Sequence, residues 1–181
     1  MKPRLVWSIG VGLLAVAWIV VAITPVEADA ERPFAVAASV DEPATARTFT
    51  VTLSNMRLGA AATDPRGWTA EGTWLLVDIE AEARREEARV ALRSAWLELD
   101  GIRYRASERP QSFLGTALAV GLPKSGTLAF ELPGDIADAK GVIELATVTE
   151  TRLDAIVTLP VDFGALERQQ TVELAPTEWA R

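Results

Sequence analysis

The chain has 181 residues, with 18 Lys or Arg against 25 Asp or Glu and a formal net charge of −7. It contains no histidine and no cysteine. That excludes a Ser-His-Asp triad, a Cys-His pair, a His-ligated zinc site and any disulfide made within the chain. The acidic balance argues against nucleic acid as a partner, because phosphate affinity comes from clustered Lys and Arg.

Residues 5–23, LVWSIGVGLLAVAWIVVAI, carry no charged side chain. At 1.5 Å rise per residue a helix of this length crosses the ~30 Å hydrocarbon layer of a bilayer. Lys2 and Arg4 precede the run, whereas Glu27 and Asp29 follow it. Basic residues stay on the cytoplasmic side, so the rest of the chain is expected outside the membrane. The sequence therefore predicts one N-terminal transmembrane helix over residues 1–24, a signal-anchor in the cell membrane. The competing reading is a signal peptide cut after Ala30, since Ala28-Asp29-Ala30 has the small-x-small pattern.

Residues 25–47 hold Pro25, Pro33 and Pro43 among alanines and acids, and read as an extracytoplasmic linker. Phe34 and Val36 could begin a short strand there. From Thr48 the pattern turns to period two: Phe49, Val51 and Leu53 alternate with hydroxyl residues, which predicts a half-buried strand. Residues 59–72 read as a loop around Asp64-Pro65-Arg66-Gly67. Over 73–83, Leu75, Val77, Ile79 and Ala81 share one face, while Asp78, Glu80 and Glu82 share the other. Residues 89–99 form a strand whose apolar parity switches near Ser94-Ala95, which suggests a bulge. Asp100-Gly101 signals a hairpin leading into Ile102, Tyr104 and Ala106. Residues 107–126 look irregular. Further strands are expected around Leu128 to Leu132 and over 141–147, 154–162 and 171–174, with a helical turn around 135–139 or 163–168.

Seven or eight short strands separated by Gly and Pro turns predict an all-β, antiparallel β-sandwich. The domain is placed at 48–175, with 176–181 as a C-terminal tail. Three segments carry a further likeness: Gly72-Thr73-Trp74-Leu75-Leu76-Val77-Asp78-Ile79-Glu80-Ala81-Glu82, then Leu99-Asp100-Gly101-Ile102-Arg103-Tyr104, then Leu122-Pro123-Lys124-Ser125-Gly126-Thr127-Leu128-Ala129-Phe130-Glu131-Leu132-Pro133. In that order they resemble the immunoglobulin-like domain family of unknown function found in exported and membrane-anchored proteins of Gram-positive bacteria. The resemblance covers residues 48–162. It implies an immunoglobulin-like sandwich outside the cytoplasm and supplies no catalytic residues.

Asp78, Glu80 and Glu82 could form a calcium site or a pair of acid/base carboxylates. The simpler reading is a solvated face, with Asp78 opposite Arg93 and Glu82 opposite Arg89 in a hairpin. Lys124-Ser125 reads as part of an ordinary turn rather than a Ser-Lys nucleophile. Trp68, in the loop, is a candidate partner anchor or sugar platform. Arg103, Arg105 and Arg109 form a basic strip around Tyr104 where a carboxylate or phosphate could dock. No catalytic, metal or cofactor residues are assigned. The expected function is a membrane-tethered extracytoplasmic binding module, accessory to another envelope protein and without catalysis. The alternatives are a secreted ligand-binding sandwich and a carboxylate-only envelope glycan enzyme.

Overall fold

The computed structural model describes residues 3–23, 32–85, 90–134, 136 and 139–180. The Ala28-Asp29-Ala30 site, Lys2, Glu27, the connection at 86–88, Arg89 and most of the turn expected at 135–139 lie outside the described residues. The chain divides into two units, Met1–Arg32 and Pro33–Arg181.

In the first unit, helix α1 (Pro3–Ile23) forms on the uncharged run. Its described apolar side chains are exposed, Trp7 at 77% and Trp18 at 73% among them. Among the described residues no helix is long and apolar enough to cross a membrane. The crossing expected over residues 1–24 therefore rests on the sequence run.

The second unit is built of strands: β1 (Phe34–Ala37), β2 (Ala44–Thr45), β3 (Phe49–Thr63), β4 (Thr69–Ala83), β5 (Ser94–Leu99), β6 (Ile102–Arg105), β7 (Lys124–Leu132), β8 (Lys140–Ala146), β9 (Ala155–Asp162), β10 (Arg168–Gln169), β11 (Val172–Glu173) and β12 (Glu178–Trp179). Sheet A has the order β1-β9-β8-β5-β6. Sheet B has the order β10-β3-β4-β7-β12, with β2 and β11 also on β3. The two sheets make a β-sandwich. Alternation places Phe49, Val51, Leu53, Leu75, Val77 and Ile79 of sheet B against Leu97, Ile143, Leu145, Val157 and Leu159 of sheet A. Each such fully buried side chain stabilises the fold by about 1.5–3 kcal/mol relative to exposure. The long pairings are antiparallel. Three short ones are parallel: β1 on β9, and β10 and β11 on β3.

Several expectations change. The loop expected over 59–72 shrinks to residues 64–68 around Asp64-Pro65-Arg66-Gly67, because β3 and β4 stay paired out to Thr63 and Thr69. Register shifts between Ser54 and Arg57, and between Gly59 and Ala61, break the period-two pattern while the ladder continues. The parity switch near Ser94 is a change of partner, not a bulge. Leu92 bonds Thr116 and Gly115, and Val90 accepts from Leu118, so the segment before β5 leaves sheet A. β4 and β5 lie in opposite sheets. The Asp78–Arg93 pairing is thus absent, and Glu82 stands opposite Thr50. Lys124 and Ser125 open a strand instead of occupying a turn. β1 and β2 fall within the segment read as a linker, and β12 within the segment read as a tail; all three belong to the Pro33–Arg181 unit. At 163–165 the expected turn forms as a 3-10 turn, with the Asp162 carboxylate accepting from Gly164 N at 3.0 Å.

After this turn the chain becomes a strap across sheet B. It runs along β3 as β10 and β11, crosses the outer face where Ala175 N donates to Thr127 Oγ1 at 3.0 Å, and ends beside β7 as β12. Val172 and Leu174 bury a second, smaller apolar cluster with Ala62, Trp74, Leu76 and Ala129. Gly59 lets the strap approach: a Cβ there would lie 2.7 Å from a Val172 methyl.

Candidate functional site

Asp64 closes the β3–β4 hairpin. Its carboxylate accepts from Arg66 N at 2.8 Å and Trp68 N at 3.0 Å through Oδ1, and from Gln111 N at 2.9 Å through Oδ2. The first two bonds make the local turn that Asp-Pro-Arg-Gly encodes. The third ties the hairpin tip to the segment after β6. These amide donors, Gln111 foremost, outweigh burial and hold the Asp64 carboxyl below the ordinary carboxylate range.

That turn aims Trp68 back at the protein. Its ring meets Trp74 edge-on, centroids 5.4 Å apart at 87°. The Arg109 guanidinium lies 5.5 Å from the Trp68 ring and 5.9 Å from the Trp74 ring, and Arg109 Nη1 donates to Glu131 at 2.8 Å. Trp68 is half-buried and Trp74 fully buried. The candidate anchor at the loop tip is therefore part of a closed Trp-Trp-Arg stack on the outer side of sheet B. Among the described residues, the indole Nε1 of Trp74 has no hydrogen-bond acceptor.

Asp78 is the centre of a second polar cluster on the same face. Arg57 reaches it with two prongs, Asn55 Nδ2 donates at 2.8 Å and Thr127 Oγ1 at 2.7 Å. Burial works against its charge, but the bonds from Arg57, Thr127 and Asn55 prevail and hold its pKa below the ordinary value. Beside it runs an open groove of about 370 Å³, lined by Asp41, Thr52, Ser54, Glu80, Ser125 and Glu178 among others. Among the described residues no group of three or more carboxylates is placed to hold a metal ion. Both Asp78 oxygens are taken by protein donors, and Glu80 points to solvent. Lys124 Nζ bonds Ala117 O at 3.0 Å and lies 4.6 Å from the Trp179 ring. As strand neighbours, Lys124 and Ser125 face opposite sides.

The basic strip around Tyr104 is divided. Arg103 and Arg105 lie on the outer face of sheet A, whereas Arg109 belongs to the tryptophan stack of sheet B. Tyr104 turns the other way and packs against the core. Arg103 lies 4.9 Å over the Trp96 ring and pairs with Glu144; Arg105 pairs with Glu108 at 2.8 Å. Sequence reading missed Asp64 and Arg57 as organising groups. The Asp-Pro-Arg-Gly turn signalled the local half of Asp64's role. Nothing in the pattern signalled Arg57, because its position depends on a bulge.

No protein-family model and no curated protein matches the chain. Among solved structures it is similar to an uncharacterized β-sandwich protein from Clostridium difficile, with 8% identity, a TM-score of 0.45, and coverage of 71% of this chain and 95% of that one.

Proposed function

We propose that this chain is a membrane-tethered, extracytoplasmic binding module of immunoglobulin-like architecture, accessory to another envelope protein and not itself an enzyme. The uncharged run over residues 5–23 carries the reading. A helix that is apolar all round is stabilised by hydrocarbon, and Lys2 and Arg4 orient it with the β unit outside. Strand order supports the architecture. Taken as seven consecutive strands, β3 to β9 give a β3-β4-β7 sheet facing a β9-β8-β5-β6 sheet. This is the A-B-E against G-F-C-C′ arrangement of immunoglobulin-like sandwiches.

The two outer faces differ in a way that suits binding. Sheet B is covered by its own strap and by the tryptophan stack, while sheet A presents Trp96, Arg103 and Arg105 without such a cover among the described residues. Trp and Arg are the residue types that most often dominate binding energy.

The test is fractionation with an alkaline carbonate wash, mass spectrometry of the native N-terminus, and cross-linking in intact cells. Full-length chain in the washed membrane pellet, cross-linked to one dominant envelope protein, is the expected result. A chain beginning at Glu31 in the supernatant overturns the tether. An intact, anchored chain without a cross-linked partner overturns the accessory role.

A further inference from the structure

We propose that the free edge of β6 is a docking strand for an extended partner segment in which acidic and apolar residues alternate. The inference rests on the reading of this chain as a binding module and names the surface and the chemistry of its partner.

β6 ends sheet A, with β5 on one side; among the described residues no strand pairs with Arg103 or Arg105 on the other, and the edge closes just beyond them, where Ser107 N donates to Ala129 O of β7 at 2.7 Å. The hairpin register sets Trp96 opposite Arg105, Leu97 opposite Tyr104, Glu98 opposite Arg103 and Leu99 opposite Ile102. Ala106 N donates to Ala95 O at 2.9 Å, which fixes the alternation. In an antiparallel ladder every second pair exchanges its hydrogen bonds. Ile102 and Tyr104 therefore direct their backbone groups at β5, and Arg103 and Arg105 direct theirs outward. The edge thus offers two N–H donors and two C=O acceptors at the spacing an added strand requires.

The side chains say what kind of strand fits. Arg103 and Arg105 project from one face, each about half exposed at 49% and 48%. Ile102, on the other parity, is 57% exposed. A strand laid along this edge sets alternate residues beside the two guanidiniums and the residues between them beside Ile102. Carboxylates complement the first set and apolar side chains the second. Glu144 and Glu108 now hold the arginines, but such exposed pairs change partners at little cost.

A second copy of the chain does not fit. Antiparallel pairing of β6 with itself about Tyr104 sets Arg103 of one copy opposite Arg105 of the other, and like charges directly opposite destabilise a sheet. The same two arginines therefore repel self-association and attract an acidic strand. The opposite edge, β1, lacks this chemistry. Phe34 N and Ala38 N bond to β9, so its outward-turned residues are Ala35 and Ala37.

The experiment uses the full chain in detergent micelles, isotopically labelled, with a synthetic peptide alternating Glu and Val and a counterpart alternating Lys and Val. Saturable binding of the Glu-Val peptide is expected, with slowed amide exchange at Arg103 and Arg105. R103Q/R105Q should weaken it about tenfold or more, and R103E/R105E should transfer the preference to the Lys-Val peptide. Equal melting temperatures of the variants and the parent establish that the fold is kept. Should the reversed pair melt lower, R103Q/R105Q alone decides. Glu-Val binding unchanged in R103Q/R105Q, protection at Ala35 and Ala37 instead, or no binding at all overturns the proposal. So does a dimer, seen by sedimentation, that R103E/R105E abolishes. The micelle experiment does not depend on membrane anchorage, so its failure is distinct from release of the chain in the fractionation test.

Discussion

Arg57 grips Asp78 with both ends of its guanidinium, Nη1 at 2.6 Å from Oδ2 and Nη2 at 2.8 Å from Oδ1. It can do so because of the bulge that precedes it. Phe49, Val51 and Leu53 alternate into the core, and unbroken alternation would bury position 57 with them. Asn55 instead adopts φ 42°, the register shifts between Ser54 and Arg57, and Arg57 emerges on the outer face. Arg57 Nη2 also reaches Glu173 O at 3.3 Å, so one side chain links β3, β4 and the strap.

Acid should loosen this cluster. Native Asp78 holds its proton less tightly than the unfolded chain does, because its pKa lies below the ordinary carboxylate value of about 3.9. Its contribution is therefore fully present above that value and is lost as pH falls through the depressed native pKa. Asp64 acts in the same direction. Asp78→Asn should cost roughly 1–3 kcal/mol at neutral pH by leaving Arg57 poorly paired, and should flatten the acid-side decline. Urea unfolding at neutral pH and near pH 3 measures both. Parallel pH curves for the variant and the parent would reject the role given to Asp78.

Gly59→Ala tests the seat of the strap. The new methyl would lie 2.7 and 2.9 Å from the two Val172 methyls, and a β-branched side chain in a packed cluster has little room to yield. A loss of roughly 1–3 kcal/mol is expected. Val172→Ala should recover part of it in the double variant, so the two changes should be non-additive. Additive effects would mean that the strap does not seat on Gly59.

Trp74 should respond unequally to two truncations. Trp74→Ala removes a fully buried ring and should cost about 3–5 kcal/mol. Trp74→Phe also removes the indole N–H, which has no acceptor among the described residues. Losing an unpaired buried donor offsets much of the lost volume, so a change of only about 1 kcal/mol is expected. Comparable losses for both variants would show that the N–H is paired in solution.

Asp64→Ala should release Trp68 from Trp74. The carboxylate holds Arg66, Trp68 and Gln111 amides together, and the edge-on ring contact depends on that turn. Near-ultraviolet circular dichroism should lose the same coupled-ring signal in Asp64→Ala as in Trp68→Phe. Retention of the signal in Asp64→Ala would place the stack outside Asp64's control.

What was legible in the sequence follows from how local each cause is. β4 could be read because apolar and acidic residues alternate without interruption from Val77 to Ala83, and the β5–β6 hairpin because Asp100-Gly101 closes it through its own backbone preferences. β3 was read only to its first bulge, beyond which the apolar parity no longer reports the pairing. The strap was legible only at β11, which falls within the strand expected over 171–174. β10 and β12 are two residues each, and they are chosen by the edges they meet and not by any period of their own. The arginines could be named from composition, but their division between two faces depends on the chain leaving sheet A after β6.

The strap also sets an order in time. Residues 166–180 follow in the chain every strand they cover, so Trp74 and Leu76 form an apolar face that stays open while sheets A and B assemble. Pairings such as Ala62 with Val172 join distant parts of the chain, and contacts of that kind form slowly. For that interval the outer face of sheet B is what a passing chaperone or a neighbouring nascent chain encounters. Seating of Val172 and Leu174 is then the event that closes this face.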